Sequence, residues 1–299
     1  MATNTLNGVN LTRISQLTLD ALVTEGFPLS AFTTDFSNEA LPHGEVITTR
    51  FVTVPTTQNF NSTKATGNSV TTARNITLNQ YRGVSIGFKD TELTYTDLEL
   101  GEKFVRPAVS ALVDEMIAYV LGLCTAAKGF GTLDLVSTAG NFDDDDVADL
   151  AQTLSTAKVP KASRSLILKP TYFASLAKTG AIKDASSYAS AEPIRENRIP
   201  RLHGFNLIEY NGTIPHNSQY MQGVAVHPQA LCVAARTIPE PPPGTWYGKV
   251  MNVVDEASGL PIQIREHYDG TELVYQFGVL YGATEGIPTK LARIVSQGA

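Results

Sequence analysis

Gly83-Val-Ser-Ile-Gly87 satisfies G-x-S-x-G, the spacing of a serine nucleophile, and later Asp and His residues such as Asp255 and His267 are available to complete a relay. That chemistry needs a sharp turn from strand to helix, which lifts the serine out of the sheet. Here Val84, Ile86 and Phe88 alternate as one strand, and the next helix begins only after Thr96. Ser85 therefore reads as a strand residue between flexible glycines. Phe142-Asp-Asp-Asp-Asp-Val147 invites a metal, but the run lacks the Asp/Asn alternation, the Gly and the distal Glu of a calcium loop. His43, His203, His216, His227 and His267 contain no i, i+4 pair, so no zinc signature exists. Cys124 and Cys232 sit among apolar neighbours and share no metal or redox spacing; they read as reduced core thiols. No P-loop and no dinucleotide fingerprint is present. Asn10, Asn61, Asn75 and Asn211 head glycosylation-type triplets, which read as chance in an Asn/Thr-rich chain. Lys64 has solvent, a phosphate or a partner carboxylate open to it. No catalytic, cofactor-binding or metal-binding residue is assigned, and no cofactor is expected.

The composition points the same way. A chain of 299 residues, 42% hydrophobic and 17% charged, buries a substantial core as one large domain or two lobes, with few charges for its size. A net charge of −6 argues against a general nucleic-acid binder, which needs a basic face. No apolar run approaches membrane-spanning length, and the N-terminus shows no basic-then-apolar signal segment.

Elements follow from periodicity. In the first 45 residues, Asn10 can cap a short helix bearing Ile14, Leu17, Ala21 and Leu22, followed by Phe27, Phe32 and Phe36 along a polar stretch. That is either a strap across another surface or a segment packed on its own domain. Val46–Val54 alternates and is β-branched; residues 56–72 are dominated by Asn, Thr, Ser and Gly; strands return near Ala73–Leu78 and Val84–Phe88. A two-stranded excursion with a polar tip is not stable alone and needs a surface to lie on. Thr96-Asp-Leu-Glu99 fits a capping box, and Glu102 and Arg106 are ordered for a helical pair. The stripe Val105, Val109, Leu112, Val113, Met116, Ile117, Val120, Leu121, Cys124 then predicts a helix from Thr96 to Ala127, roughly 45 Å long and kinked at Pro107.

Asp143 is placed to cap the next helix, with Phe142 and Val147 as its hydrophobic staple. Ser165–Ala177 and Gly223–Ala235 both read as strand, proline, short helix; Gly180–Ile199 is a flexible stretch, Phe205–Tyr210 a strand, and Glu240–Gly244 a stiff connector. Ile262–Tyr268 and Thr271–Phe277 flank Asp269-Gly270, the strongest short-range hairpin signal in the chain.

This order of elements resembles the major capsid proteins of tailed bacteriophages, with the α+β fold named after phage HK97. Val159-Pro160 to Lys169-Pro170 looks like their first axial strand and turn, Gly223–Leu231 like their return strand, and Val253–Gly282 like their terminal strands. The resemblance implies residues 1–45 as N-terminal arm, 46–90 as extended β-hairpin loop and 91–156 as peripheral lobe with the long spine helix. Residues 157–240 become an axial α/β lobe, and 241–299 the long antiparallel return strands of the peripheral lobe with a C-terminal tail. It implies a structural, non-enzymatic protein that self-assembles as hexamers and pentamers into an icosahedral head shell around double-stranded DNA. The shell would be part of the virion, assembled in the bacterial host cytoplasm, with no membrane and no sequence-specific DNA contact. Nothing here corresponds to the long N-terminal scaffolding segment of some members, so assembly requires a separate scaffolding protein or none; a separate one is expected, with a portal and decoration proteins as further partners. Some members crosslink covalently through Lys, Asn and an acidic residue; Lys64 lies in the right loop, but no matching partners are identified. Encapsulin-type shell proteins share the fold and are the alternative; a serine hydrolase using Ser85 is the alternative of a different class.

Overall fold

In the computed structural model the residues described are 14–21, 27–52, 71–89, 99–179, 199, 201–217, 219–240, 248–254, 259–268 and 270–296. The helices are α1 (14–21), α2 (Glu99–Gly122), α3 (Asp144–Thr156) and α4 (Pro170–Ala177). Strands β1 (Thr33–Ala40), β2 (Val46–Val52), β3 (Thr71–Thr77) and β4 (Gln80–Lys89) precede α2. After it come β5 (Leu135–Val136), β6 (Arg164–Leu168), β7 (Arg201–Leu202), β8 (Phe205–Glu209), β9 (Met221–Val226) and β10 (Leu231–Thr237). The chain closes with β11 (Lys249–Val254), β12 (Pro261–Tyr268), β13 (Glu272–Glu285) and β14 (Leu291–Val295).

Helix α2 is the axis of the molecule. Its 24 residues make a rod of about 36 Å, and it runs on through Pro107. Every residue of the apolar stripe from Val105 to Cys124 is buried, while Arg106, Glu115 and the tip of Phe104 face outward. The expected capping box at Thr96–Glu99 and the Glu102 side chain lie outside the described residues, as do Asn10, Glu240–Gly244 beyond Glu240, and nearly all of Gly180–Ile199.

The peripheral sheet is built on the long strand β13. Residues 272–281 of β13 pair with β4 while 273–278 pair with β12, so these two strands take opposite edges; β10 follows β12 along residues 280–285. Strand β11 extends β12, and β1 extends β10 in parallel. Alternation sorts the side chains between two cores. Leu231, Val233 and Ala235 of β10, with Tyr275, Phe277, Val279 and Tyr281 of β13, face α2. Cys232, Ala234 and Leu280 face the other way, onto Ile76 and Leu78.

The axial sheet runs β5-β14-β9-β6-β8-β7. Leu166, Leu168, Ala225 and Ile294 meet α3 and α4 on one face; Ile167, Ile208, Val224 and Val226 join the α2 core on the other. Asp143 caps α3 as expected, its carboxylate accepting from the Asp146 amide at 3.2 Å, and Phe142 and Val147 are buried beside it. Arg164, only 2% exposed, donates to the carbonyls of Ala151, Val159 and Pro160 and to the Ser155 hydroxyl. It closes the end of α3 onto the sheet with neutral oxygens.

Three expectations change. The short helix expected after Pro228 is a single 3-10 turn, Pro228–Ala230, and then strand β10. Both faces of β10 are covered, so its apolar run carries no polar alternation to distinguish it from a buried helix. The strand at 84–88 does not return into the polar excursion: β3 pairs with β2, but β4 lies along β13. Nor do the residues after Gly282 simply trail off, because β14 crosses back and pairs with β9 in the axial sheet. For the N-terminal segment, the choice left open falls on the chain's own domain over its described residues, since Ile14 and Ala21 of α1 are buried in the same core as α2. Leu29 and Phe32 are buried, β1 pairs with β10, and Arg236 donates to the Asp35 carboxylate at 3.1 Å.

Gly282 shows how closely the hairpin β2–β3 approaches the sheet. A Cβ there would lie 2.1 Å from the Thr77 carbonyl oxygen. Gly282→Ala must therefore push the hairpin base off β13, at about 1–3 kcal/mol. Hydrogen exchange should show residues 71–78 losing protection while α2 keeps its own; unchanged protection at 71–78 would contradict the packing.

Candidate assembly surfaces

The G-x-S-x-G match falls on the middle of a strand. Ser85 is exposed in β4 and stands opposite Gln276 of β13. His267 pairs with Val274, and Val274 with Gly87, so the imidazole stands two strands and two residues away from Ser85. Strand spacing and rise place them about 12 Å apart, beyond hydrogen-bond reach. Asp255 lies outside the described residues. Ser85→Ala should leave folding and assembly unchanged; labelling of Ser85 by a serine-reactive probe in the native protein would overturn this.

The other chemical candidates are structural. Asp143 to Asp146 start α3, and Asp146 accepts from the Ser137 hydroxyl at 2.8 Å, its carboxyl raised mainly by burial. Among the described residues no three His, Cys, Asp or Glu side chains converge on a metal position. Burial pushes the Cys124 thiol up to about 12 and the Cys232 thiol to about 11, so both stay protonated at neutral pH and unreactive. Among the described residues no helix is long and apolar enough to cross a membrane. Lys64, Asn10 and Asn61 lie outside the described residues. Asn75 is on β3, where its side-chain oxygen accepts from Thr48 across the hairpin at 3.1 Å.

What the chain presents instead is a hairpin with little support of its own. Strands β2 and β3 pair from Val46↔Thr77 to Val52↔Thr71 and form a separate two-stranded sheet. Ile47, Phe51 and Ile76 pack one face of it on Cys232, Ala234 and Leu280. The opposite side shows Val46 at 46% and Val52 at 63% exposed. A ribbon of this kind is marginal in water until a surface covers it. Charge fixes its root: Glu285 of β13 reaches Lys128, just past α2, at 3.2 Å and Arg74 of β3 at 3.8 Å. Burial opposes ionisation of Glu285, but its own backbone amide, Lys128 and Arg74 outweigh it and hold the carboxyl below its ordinary value.

Other outward aromatic groups are spread over the peripheral lobe: Tyr81 on β4, Tyr268 at the end of β12, and Phe104 on α2, edge-on to Phe88 at 5.8 Å. Sequence reasoning missed one buried tie between the lobes. Arg293 of β14, 1% exposed, donates to Asp134 at 2.9 Å, to the Cys124 carbonyl at 3.1 Å and to Gln219. With Asn217 donating to Leu121 at 2.9 Å and Tyr210 to Asp114 at 3.1 Å, it fastens the axial sheet to α2. The only signal in the sequence was a lone arginine inside Leu291-Ala-Arg-Ile-Val295.

Against known proteins, no family model matches the chain, and no curated protein does. Solved structures do. The capsid of cyanophage P-SCSP1u superposes with a TM-score of 0.59 at 12% identity, covering 90% of this chain and 87% of that one. A structure from Mycobacterium phage Che8 gives 0.55 at 19% identity over 84% of each chain. A virus-like particle from Pyrococcus furiosus gives 0.51 at 12% identity, covering 95% and 98%. What is shared at these identities is the fold. The chain has the α+β fold of the HK97-type capsid proteins, with the spine helix, hairpin and two lobes in place.

Proposed function

We propose that this chain is the structural subunit of an icosahedral head shell, assembling as hexamers and pentamers around the double-stranded DNA of a tailed phage. The observation that carries the reading is the hairpin β2–β3. It stands on the fold of shell-forming proteins, packs one face on the sheet through Ile47, Phe51 and Ile76, and leaves apolar valines on the other face where a neighbouring subunit would cover them. Contacts of that kind repeat at every subunit, so modest individual surfaces sum to a stable shell. The acidic balance suits a container whose genome must enter and leave. In this reading 1–45 is the arm, the hairpin β2–β3 is the loop offered to a neighbour, and the peripheral and axial lobes build the contacts between and within capsomers. A separate scaffolding protein, a portal and decoration proteins complete the assembly in the bacterial cytoplasm, and the product is the virion head.

The likeness to a virus-like particle supports a second reading, a shell of encapsulin type that encloses enzymes. The long excursion at 46–77 favours the phage head, since encapsulins usually lack so large a loop. Nuclease treatment of particles isolated from the producing cells separates the two. A phage head protects double-stranded DNA of defined length. Particles without protected DNA but with a protein cargo would replace the first reading by the second.

A further inference from the structure

Besides the passage through α2, the chain passes directly between the two sheets twice, and these two crossings lie side by side. Strand β9 leads through Pro228–Ala230 into β10, and β13 leads through a second 3-10 turn, Pro288–Lys290, into β14. Since β9 pairs with β14 and β10 with β13, one two-stranded ribbon runs from the axial sheet to the peripheral sheet, and both of its strands break into a 3-10 turn at the same level. Backbone bonds tie the crossing together: His227 to the Lys290 carbonyl at 3.0 Å, Ile287 to Gln229 at 2.9 Å and Gly286 to Ala230 at 2.8 Å.

His227 sits at the start of the first turn, 9% exposed, with its Nδ1 accepting from the Gln229 amide at 3.4 Å. Only a neutral ring with a bare Nδ1 can make that cap. The charges acting on the ring are both cationic: Lys290 from the facing turn and Arg164 from β6, which stands beside His227 in the register of β6 with β9. Strand β1 offers Thr33, whose hydroxyl donates to the Pro228 carbonyl at 2.8 Å, while its Asp35 is bound to Arg236. Glu285 on β13 is held by Lys128 and Arg74.

We propose that this crossing is an acid-sensitive latch between the lobes, opened when protonation of His227 removes the turn's cap and adds a third positive charge beside Arg164 and Lys290. The sign follows from linkage. Burial, Lys290 and Arg164 hold the closed-state imidazole below its ordinary value, so the open state binds the proton more tightly. The latch is at full strength above about pH 6.5, the ordinary imidazole value. It weakens as the pH falls below that, through the depressed closed-state value. This concerns the subunit alone and stands whether or not the shell reading holds.

The test is hydrogen exchange on the full-length protein at pH 7.5 and pH 5, corrected for intrinsic exchange chemistry. Residues 223–237 and 280–295 should lose protection at pH 5, while 105–121 of α2 keep theirs. His227→Gln stays neutral at both pH values and can still accept with its side-chain oxygen, so it should abolish the acid response. Lys290→Gln lets the closed-state imidazole titrate closer to its ordinary value and should shrink the response. Equal protection of the crossing at both pH values would overturn the proposal. So would an undiminished acid response in His227→Gln or, should that variant fail to fold, in Lys290→Gln.

Discussion

Ile117→Asp should leave no soluble native protein. Ile117 is fully buried at the centre of the α2 stripe, in the core that also holds Val113, Met116, Phe277 and Tyr281. The substitution loses the burial of the isoleucine, about 1.5–3 kcal/mol, and places a carboxylate in a hydrophobic core. The sum is on the order of 5 kcal/mol or more, against a total stability of about 5–15 kcal/mol for a typical domain. Because α2 packs on both sheets, the loss is shared by both lobes and not confined to one edge. Ile117→Val, at about 1 kcal/mol, should remain soluble. Solubility and circular dichroism of the two variants check this. Well-folded Ile117→Asp protein would put that face of α2 on the surface and undo the packing described.

The second large effect separates folding from assembly. Replacing residues 56–72 by a two-residue Asn-Gly turn should spare the subunit and abolish or weaken higher assembly. The hairpin packs one face on the sheet through Ile47, Phe51 and Ile76, and these residues remain. What is removed is a polar segment that has Phe60 but few other apolar residues with which to form a core of its own, together with Thr71 and Thr72, the β3 partners of Val52 and Phe51. Sedimentation velocity with thermal unfolding distinguishes the outcomes. Soluble folded monomers or isolated rings with near-normal unfolding are expected. Intact shells of normal stability would remove the intersubunit role, and a destabilised subunit would place the segment on its own fold.

The parts of the fold that were legible in the sequence are those set by local rules. The α2 stripe was readable because its residues recur with the helical period. The start of α3 was readable because Asp143 and the Phe142–Val147 pair lie within a few residues of each other. The hairpin at 268–273 was readable because Gly270 supplies the positive φ, +67°, that the turn requires. What was not legible depends on distant partners. Strand β10 shows no period because β1, β13, α2 and the β3 base cover it on all sides. The return of β14 pairs Leu291 with Val226, and the bonds of Arg293 to Asp134 and Cys124 span 159 and 169 positions; no local spacing announces either. For the candidate surface, the polar composition of residues 56–72 marked the hairpin as needing a partner, while the root formed by Glu285, Lys128 and Arg74 emerged only in three dimensions.

The central claim is that this subunit builds a closed shell, and negative-stain electron microscopy of the purified full-length protein, with its scaffolding protein supplied where one is needed, tests it most directly. Closed particles of uniform diameter with five-fold and six-fold clusters on their surface are predicted. A field of monomers or small open oligomers under those conditions would contradict it.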